Sequence, residues 1–210
     1  MTTILRRWSY QHQWLYDSIS WTAALAVGGE RRFRQLALDN LTINENSVIL
    51  DLCCGAGQNT GYLARLSGHC TGLDISPVAL SRAQKSLPDV TFVEGLAQAM
   101  PFGDGQFDLV HTSVALHEMD TGQLQQIIKE VYRVLKPDGV FTLIDFHQPH
   151  NLLFWPGLSL FLWLFETPTA WQLIGTDLVK MLKDAGFDDC RQNLYAGGSL
   201  QVIQGFKIDD

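Results

Sequence analysis

Two acidic residues and a pair of glycines carry the first chemical signal in this chain. The stretch VILDLCCGAGQNT, residues 48–60, opens with the apolar run Val48-Ile49-Leu50, ends it in Asp51 and turns through Cys53-Cys54-Gly55-Ala56-Gly57. Such an apolar run suits a strand buried on both faces. A helical stretch is expected from about Gln58 to Leu66. A strand, a glycine turn and a helix in that order bring a small ligand close to bare backbone at a helix N-terminus. The next apolar run, CTGLD, ends in Asp74. That is roughly 20 residues beyond the glycines, where a ribose-binding carboxylate sits in nucleotide-binding α/β folds.

The glycine spacing and the first carboxylate narrow the ligand. A dinucleotide turn reads Gly-x-Gly-x-x-Gly, with the third glycine packing helix on strand. Here the glycines are Gly55, Gly57 and Gly61, so the third is displaced, and a hydride-transfer enzyme is disfavoured. Asp51, just before the turn, would repel a pyrophosphate but suits a cation. A ligand with a ribose diol, fixed positive charge and no phosphate meets both demands, and S-adenosylmethionine has a sulfonium, an ammonium and a ribose. Asp51, Cys53, Gly55, Gly57 and Asp74 are therefore the candidate cofactor set. The plainer alternative is a tight turn with no ligand, which leaves Asp74 unexplained. As a helix cap Asp74 is second to Ser76-Pro77, the stronger start signal.

Composition bounds the rest. At 210 residues the chain is long enough for one large domain. Its 46% hydrophobic and 18% charged residues describe a globular protein. A net charge of −7 with no long Lys/Arg run argues against a nucleic-acid partner. Arg31, Arg32 and Arg34 read as the solvated face of an amphipathic helix. The four cysteines, Cys53, Cys54, Cys70 and Cys190, match no zinc pattern. They read as buried thiols, and no metal site is expected. The N-terminal stretch has no apolar core of signal-peptide type, so a cytoplasmic location is expected.

Strands and helices alternate from Ser47 onward, which points to a mostly parallel sheet covered on both faces. Strands are expected at Ser47–Leu52, Cys70–Leu73, Val90–Glu94, Phe107–Ser113 and Val140–Asp145, with helices at Pro77–Ser86 and Gly122–Leu135. In the latter helix Leu124, Ile127, Ile128, Val131 and Leu135 share one face. Lys136-Pro137-Asp138-Gly139 reads as a turn. Thr176 is expected to cap a helix ending near Ala185, stopped by Gly186. Cys190–Tyr195 and Leu200–Lys207 read as a hairpin joined by Ala196-Gly197-Gly198. One domain is expected: a helical cap at 1–46 including a helix at Glu30–Leu41, a cofactor core at 47–146, an apolar segment at 147–175 and a terminal helix and hairpin at 176–210.

With these elements placed, the chain resembles the class I S-adenosylmethionine-dependent methyltransferases, and more narrowly the UbiE/MenG family of quinone-ring C-methyltransferases. The resemblance rests on Tyr16-Asp17, VILDLCCGAG at 48–57, GLDIS at 72–76, MPFGDGQFDLV at 100–110, EVYRVLKPDGVFTLIDF at 130–146 and DAGFDDCRQNLYAGGSLQVIQGFK at 184–207. It implies a Rossmann-like α/β fold, with a seven-stranded mostly parallel sheet closed by a terminal antiparallel hairpin and helices on both faces. It also implies roles. Gly55 and Gly57 would lie against the methionine part of the cofactor, with Asp51 near its ammonium. Asp74 would take the ribose hydroxyls, Ile75 would flank the adenine, and Ser113 would lie near the transferred methyl. The chain departs from the family in two places. Leu96 stands where the family has an aspartate that reads the adenine amino group, so either the backbone groups of Leu96 and Ala97 do the reading or adenine affinity is reduced. Val114-Ala115-Leu116-His117-Glu118 stands where the quinone enzymes read Phe-Gly-Leu-Arg-Asn.

The second departure places titratable groups just past strand four. Methyl transfer from a sulfonium is a direct displacement, so the protein must align the partners and exclude water. A ring carbon becomes nucleophilic when a neighbouring hydroxyl is deprotonated, and histidine is the natural base. His117 has that address, and Glu118 would orient it or act as the base itself. Local packing of His117 and solvation of Glu118 is the bland alternative. His111 reads as a packed core residue. His147 and His150, after strand five, form a second pair on the substrate side. Tyr16 would donate to cofactor or substrate if the N-terminal helix folds over the cleft.

Residues 152–165, LLFWPGLSLFLWLF, carry no charge. The run is too short to span a membrane, which takes about 20 apolar residues, and Pro156-Gly157 interrupts it. It is expected to be a lid over a lipophilic pocket. A dimer contact and a peripheral membrane contact are the other readings, with Trp155 and Trp163 suited to an interface. No Lys or Arg occurs from Val140 to Leu178, which weakens electrostatic attraction to a membrane. The function expected is methyl transfer from S-adenosylmethionine to a small, lipophilic acceptor, with a quinol ring carbon leading. O- or N-methylation of another metabolite is the nearest rival, and a non-catalytic cofactor-binding module that regulates a partner is the rival from another class.

Overall fold

The computed structural model describes residues 27–208. Tyr16, and most of the expected helical cap, lie outside the described residues.

Strands β1 (Val48–Leu52), β2 (His69–Asp74), β3 (Thr91–Glu94), β4 (Phe107–Ser113), β5 (Leu135–Phe146), β6 (Cys190–Tyr195) and β7 (Leu200–Phe206) form one sheet in the order β3-β2-β1-β4-β5-β7-β6. Neighbours from β3 to β5 are parallel, whereas β7 runs antiparallel to both β5 and β6. The order reverses at β1 and β4, so the crevice beyond their C-terminal ends is the topological switch point where open α/β sheets bind ligands.

Alternate residues of the central strands enter different cores. Leu50, Val110, Leu143 and Ile203 join one apolar cluster, while their chain neighbours Ile49, Leu109, Ile144 and Val202 belong to clusters on the other face. Two-sided burial explains the continuous apolar runs of the sequence. The first face is covered by α4 (Thr121–Val134), which buries Leu124, Ile127, Ile128, Val131 and Val134. Asp120 begins that helix with a reciprocal capping box: its carboxylate accepts from Gln123 N at 2.8 Å, and Gln123 Oε1 accepts from Asp120 N at 2.9 Å. Ile127 is fully buried. Ile127→Ala should therefore cost about 2–5 kcal/mol of unfolding free energy, read as a lower midpoint in urea denaturation.

Several local expectations shift. The helix after the glycine turn shortens to α2 (Thr60–Leu63). The N-terminal helix is α1 (Glu30–Leu36), and Leu38 and Leu41 continue as turns. Helix α3 (Pro77–Ser86) lies where expected, capped by Ser76. The Lys136–Gly139 turn is absorbed into β5 as an irregularity: Leu135 pairs with Phe107, and regular pairing resumes at Leu109 and Val140. Asp138 there has φ 60, and Lys136 Nζ holds both oxygens of Asp108 at 2.9 Å across the two strands. Helix α7 (Leu178–Asp184) is capped by Asp177 rather than Thr176, because the Asp177 carboxylate accepts from Lys180 N.

The uncharged segment becomes a short 3-10 turn at Leu152–Phe154, then α5 (Trp155–Phe165) and α6 (Pro168–Ile174). Leu162, Ala170 and Ile174 pack on Phe146, with Trp155, Leu158 and Phe161 partly buried beside them. Leu152, Leu153, Leu160 and Trp163 point outward, with Leu153 83% exposed. No helix among the described residues is long and apolar enough to cross a membrane.

Candidate active site

The turn after β1 is built from backbone that ordinary residues resist. Cys53, Gly55 and Gly57 have φ of 57, 54 and 83. A Cβ on Gly55 would meet nothing within 4 Å, so the space above that residue is open. A Cβ on Gly57 would lie 3.1 Å from Ala83 Cβ, because α3 packs against the turn there. Asp74, ending β2, fastens the turn: its Oδ2 accepts from Gly55 N at 2.8 Å, and its Oδ1 from Ser76 N at 2.8 Å. Each oxygen keeps a further lone pair for another donor. Ile75 is exposed beside it. Beyond β3, Leu96 is exposed and Ala97 buried, in a small loop closed by a bridge between Leu96 and Ala99.

Asp51 sits deeper. Its Oδ2 accepts from Thr60 Oγ1 at 2.6 Å, and its Oδ1 lies 3.3 Å from His111 Nδ1. Asn59 Nδ2 is 2.9 Å from the same ring nitrogen. His111 is buried as expected, but in a polar network rather than among apolar groups. Asp51 therefore acts on the turn through the low-dielectric interior. Cys53 registers this: burial, together with Asp74, Asp51, Glu118 and Asp145, pushes its thiol up to about 12. Cys70 is likewise pushed up to about 12, by burial and Asp51. Because the thiolate is the reactive form, native Cys53 and Cys70 should react with iodoacetamide at pH 8 at least ten-fold more slowly than in the urea-unfolded chain, measured by mass spectrometry of tryptic peptides.

The other half of the site lies past β4. Ser113 ends the strand, paired with Ile144. The chain turns at Val114, with φ 50, into a 3-10 turn at Leu116–Glu118. His117 is 3% exposed. Its Nδ1 is 2.9 Å from Asp145 Oδ1, its backbone N–H donates to Asp145 Oδ2 at 3.2 Å, and its Nε2 is 3.2 Å from Glu166 Oε2. Burial alone would lower the imidazolium, but the charge and hydrogen bond of Asp145, joined by Glu166, hold it up at about 10. With a carboxylate on each ring nitrogen the charged form of His117 is favoured, and that form does not act as the expected general base. The carboxylates on its ring nitrogens are Asp145 and Glu166, so the expected orienting role of Glu118 passes to them. Glu118 is exposed, with its carboxylate in the same cluster as His117 and Glu166.

The remaining expected residues are more peripheral. His147 Nδ1 is 3.0 Å from the Gly198 carbonyl, and its ring faces His150 at 5.7 Å, so this pair braces the hairpin connection. Trp155 begins α5 and packs beside Phe146. Asp145 and Glu166 were not singled out in the sequence. Asp145 could have been, since it ends an apolar run as Asp51 and Asp74 do, whereas Glu166 gives no local signal.

The matching family model is described as a methyltransferase domain and covers residues 49–139. An uncharacterized methyltransferase of Synechocystis sp. is 60% identical over 204 residues, which span 97% of this chain and 96% of that one. The chain belongs to the class I S-adenosylmethionine-dependent methyltransferases. A 2-phytyl-1,4-naphtoquinone methyltransferase of Nostoc punctiforme is 27% identical, over 90% of this methyltransferase and 92% of its relative. Among solved structures, a possible histamine N-methyltransferase of Thermotoga maritima superposes with a TM-score of 0.68 at 18% identity, covering 97% of this chain and 98% of the other. This methyltransferase accordingly uses S-adenosylmethionine, and its donor set fits that cofactor: open space over Gly55 and carboxylates around the turn suit a cationic ligand that carries no phosphate.

Proposed function

We propose that this methyltransferase acts on a small lipophilic acceptor bearing a hydroxyl, with a prenylated quinol ring carbon as the leading candidate. The observation that carries the reading is the apolar α5 next to the end of β4. One side of α5 packs on Phe146, the residue after Asp145, while Leu160 and Trp163 remain exposed. An apolar acceptor would find an apolar surface in α5 beside the end of β4. The quinone-methylating relative supports the same class.

Asp74 would take the ribose hydroxyls through its spare lone pairs, Gly55 and Gly57 would admit the methionine part, and Ile75, Leu96 and Ala97 would border the adenine. The bound cofactor supplies a methyl group on a sulfonium. Asp51, Asp74 and Asp145 offset that positive charge from the protein side, while Ser113 and the packed Phe146 wall confine the acceptor. Trp155 would line the acceptor side, and the exposed face of α5 would rest on a membrane surface from which the acceptor enters, the protein otherwise being cytoplasmic. A second reading, O- or N-methylation of another small metabolite, is favoured by Val114–Glu118, which lacks the Arg-Asn pair of the quinone enzymes.

Calorimetric titration with S-adenosylhomocysteine, with NAD as control, tests the cofactor site. Saturable binding of the former alone is expected. Incubation of an extract with methyl-labelled cofactor then separates the acceptors: label in the lipid phase supports the quinol reading, and label retained in water supports the metabolite reading.

A further inference from the structure

His117 and Glu118 follow β4, and Glu166 follows α5 and meets them there. One ligating atom each from His117, Glu118 and Glu166 lies within 4.8 Å of the others. His117 Nε2 and Glu166 Oε2 are 3.2 Å apart. Two ligands bound about 2.0–2.2 Å from one cation at tetrahedral or octahedral angles stand roughly 3.0–3.5 Å apart, so this spacing needs no rearrangement. The opposite nitrogen of His117 is held by Asp145, which is 1% exposed and accepts three hydrogen bonds, from His117 Nδ1, His117 N and Phe146 N. A carboxylate on the far nitrogen of a ligating histidine is the arrangement that fixes ring orientation and tautomer at metal sites.

We propose that His117, Glu118 and Glu166 form a site for one divalent cation of the zinc type, positioned to hold the hydroxyl oxygen of the methyl acceptor. This rests on the reading of the acceptor as a hydroxylated molecule. One imidazole nitrogen with two carboxylates suits zinc-type cations better than magnesium or calcium, which take oxygen ligands alone. Glu118, the exposed member of the three, marks the side open to solvent and acceptor. When the cation binds, the Nε2 proton that bridges to Glu166 leaves to solvent. An acceptor hydroxyl on such a cation loses its proton to solvent more readily.

The test is titration of the EDTA-stripped full chain with cobalt(II), followed by visible absorption, with zinc(II) and magnesium(II) titrations by calorimetry beside it. One cobalt or zinc ion per chain is expected, with a d–d spectrum free of a thiolate charge-transfer band and no saturable binding of magnesium. Glu118→Gln and Glu166→Gln should each weaken binding at least ten-fold. Asp145→Asn, which acts through His117, should weaken it about 10–100-fold. Binding that is absent, that shows a thiolate band, or that is indifferent to both glutamate variants overturns the proposal and leaves the cluster as a closed ion pair. Glu118→Gln lies on the surface and guards against loss of folding in the buried variants. S-adenosylhomocysteine titration of the same samples separates the two readings: cofactor binding without metal binding overturns only the cation site, whereas loss of both in the wild-type chain overturns the proposed function as well.

Discussion

Asp145→Ala is expected to lower the unfolding free energy by about 3–5 kcal/mol. The carboxylate is 1% exposed and answers three N–H donors, two from His117 and one from Phe146. Removing it leaves His117, itself 3% exposed, with a buried N–H that has lost its acceptor, while Glu166 still draws positive charge onto the ring. Breaking one side of a buried ion pair costs far more than the pair contributes as a whole, because the remaining charge stays desolvated. Asp145→Asn keeps an oxygen for Nδ1–H and should lose clearly less than half as much. Urea denaturation of wild type and both variants at pH 7 measures this. Equal losses in the two would show that the charge of Asp145 contributes nothing.

Asp74→Ala is expected to weaken S-adenosylhomocysteine binding about 10–100-fold, the loss of hydrogen bonds to a charged acceptor worth roughly 1.5–3 kcal/mol. Two effects add. The carboxylate that would take the ribose hydroxyls is removed, and Gly55 N loses the partner that fastens the turn at 2.8 Å. Asp74→Asn separates them, since its carbonyl oxygen can still accept from one N–H. Calorimetry should place Asn between wild type and Ala. Unchanged affinity in Asp74→Ala would remove this residue from the cofactor site. Stability should fall by less than in Asp145→Ala, because Asp74 is only partly buried and water can replace its partners.

Local sequence determined the scaffold and the turn proposed to hold the cofactor. Strand β4, helix α3 and strand β6 lie at the residues read from the chain, because apolar runs, a Ser-Pro start and a glycine-joined hairpin are signals carried within a few residues. The turn residues Asp51, Gly55 and Gly57 and the carboxylate Asp74 were legible for the same reason: each ends or follows an apolar run, and parallel pairing of β1 with β2 puts Asp51 opposite Gly72 and brings Asp74 onto Gly55. The lengths of α1 and α2 were less legible, since turns of single hydrogen bonds and a regular helix share the same apolar spacing.

The surroundings of His117 were decided by tertiary structure. His117 was visible as a histidine at the right address, but its charge state depends on Asp145, 28 residues away and delivered by β4–β5 pairing, and on Glu166, delivered by α5 folding back over Phe146. A base at the end of β4 and an imidazolium clamped between two carboxylates are the same residue in sequence. Only the arrival of acids on both nitrogens, working against the burial of the ring, favours the second over the first, since an ion pair's strength is set by distance and local dielectric rather than by order along the chain.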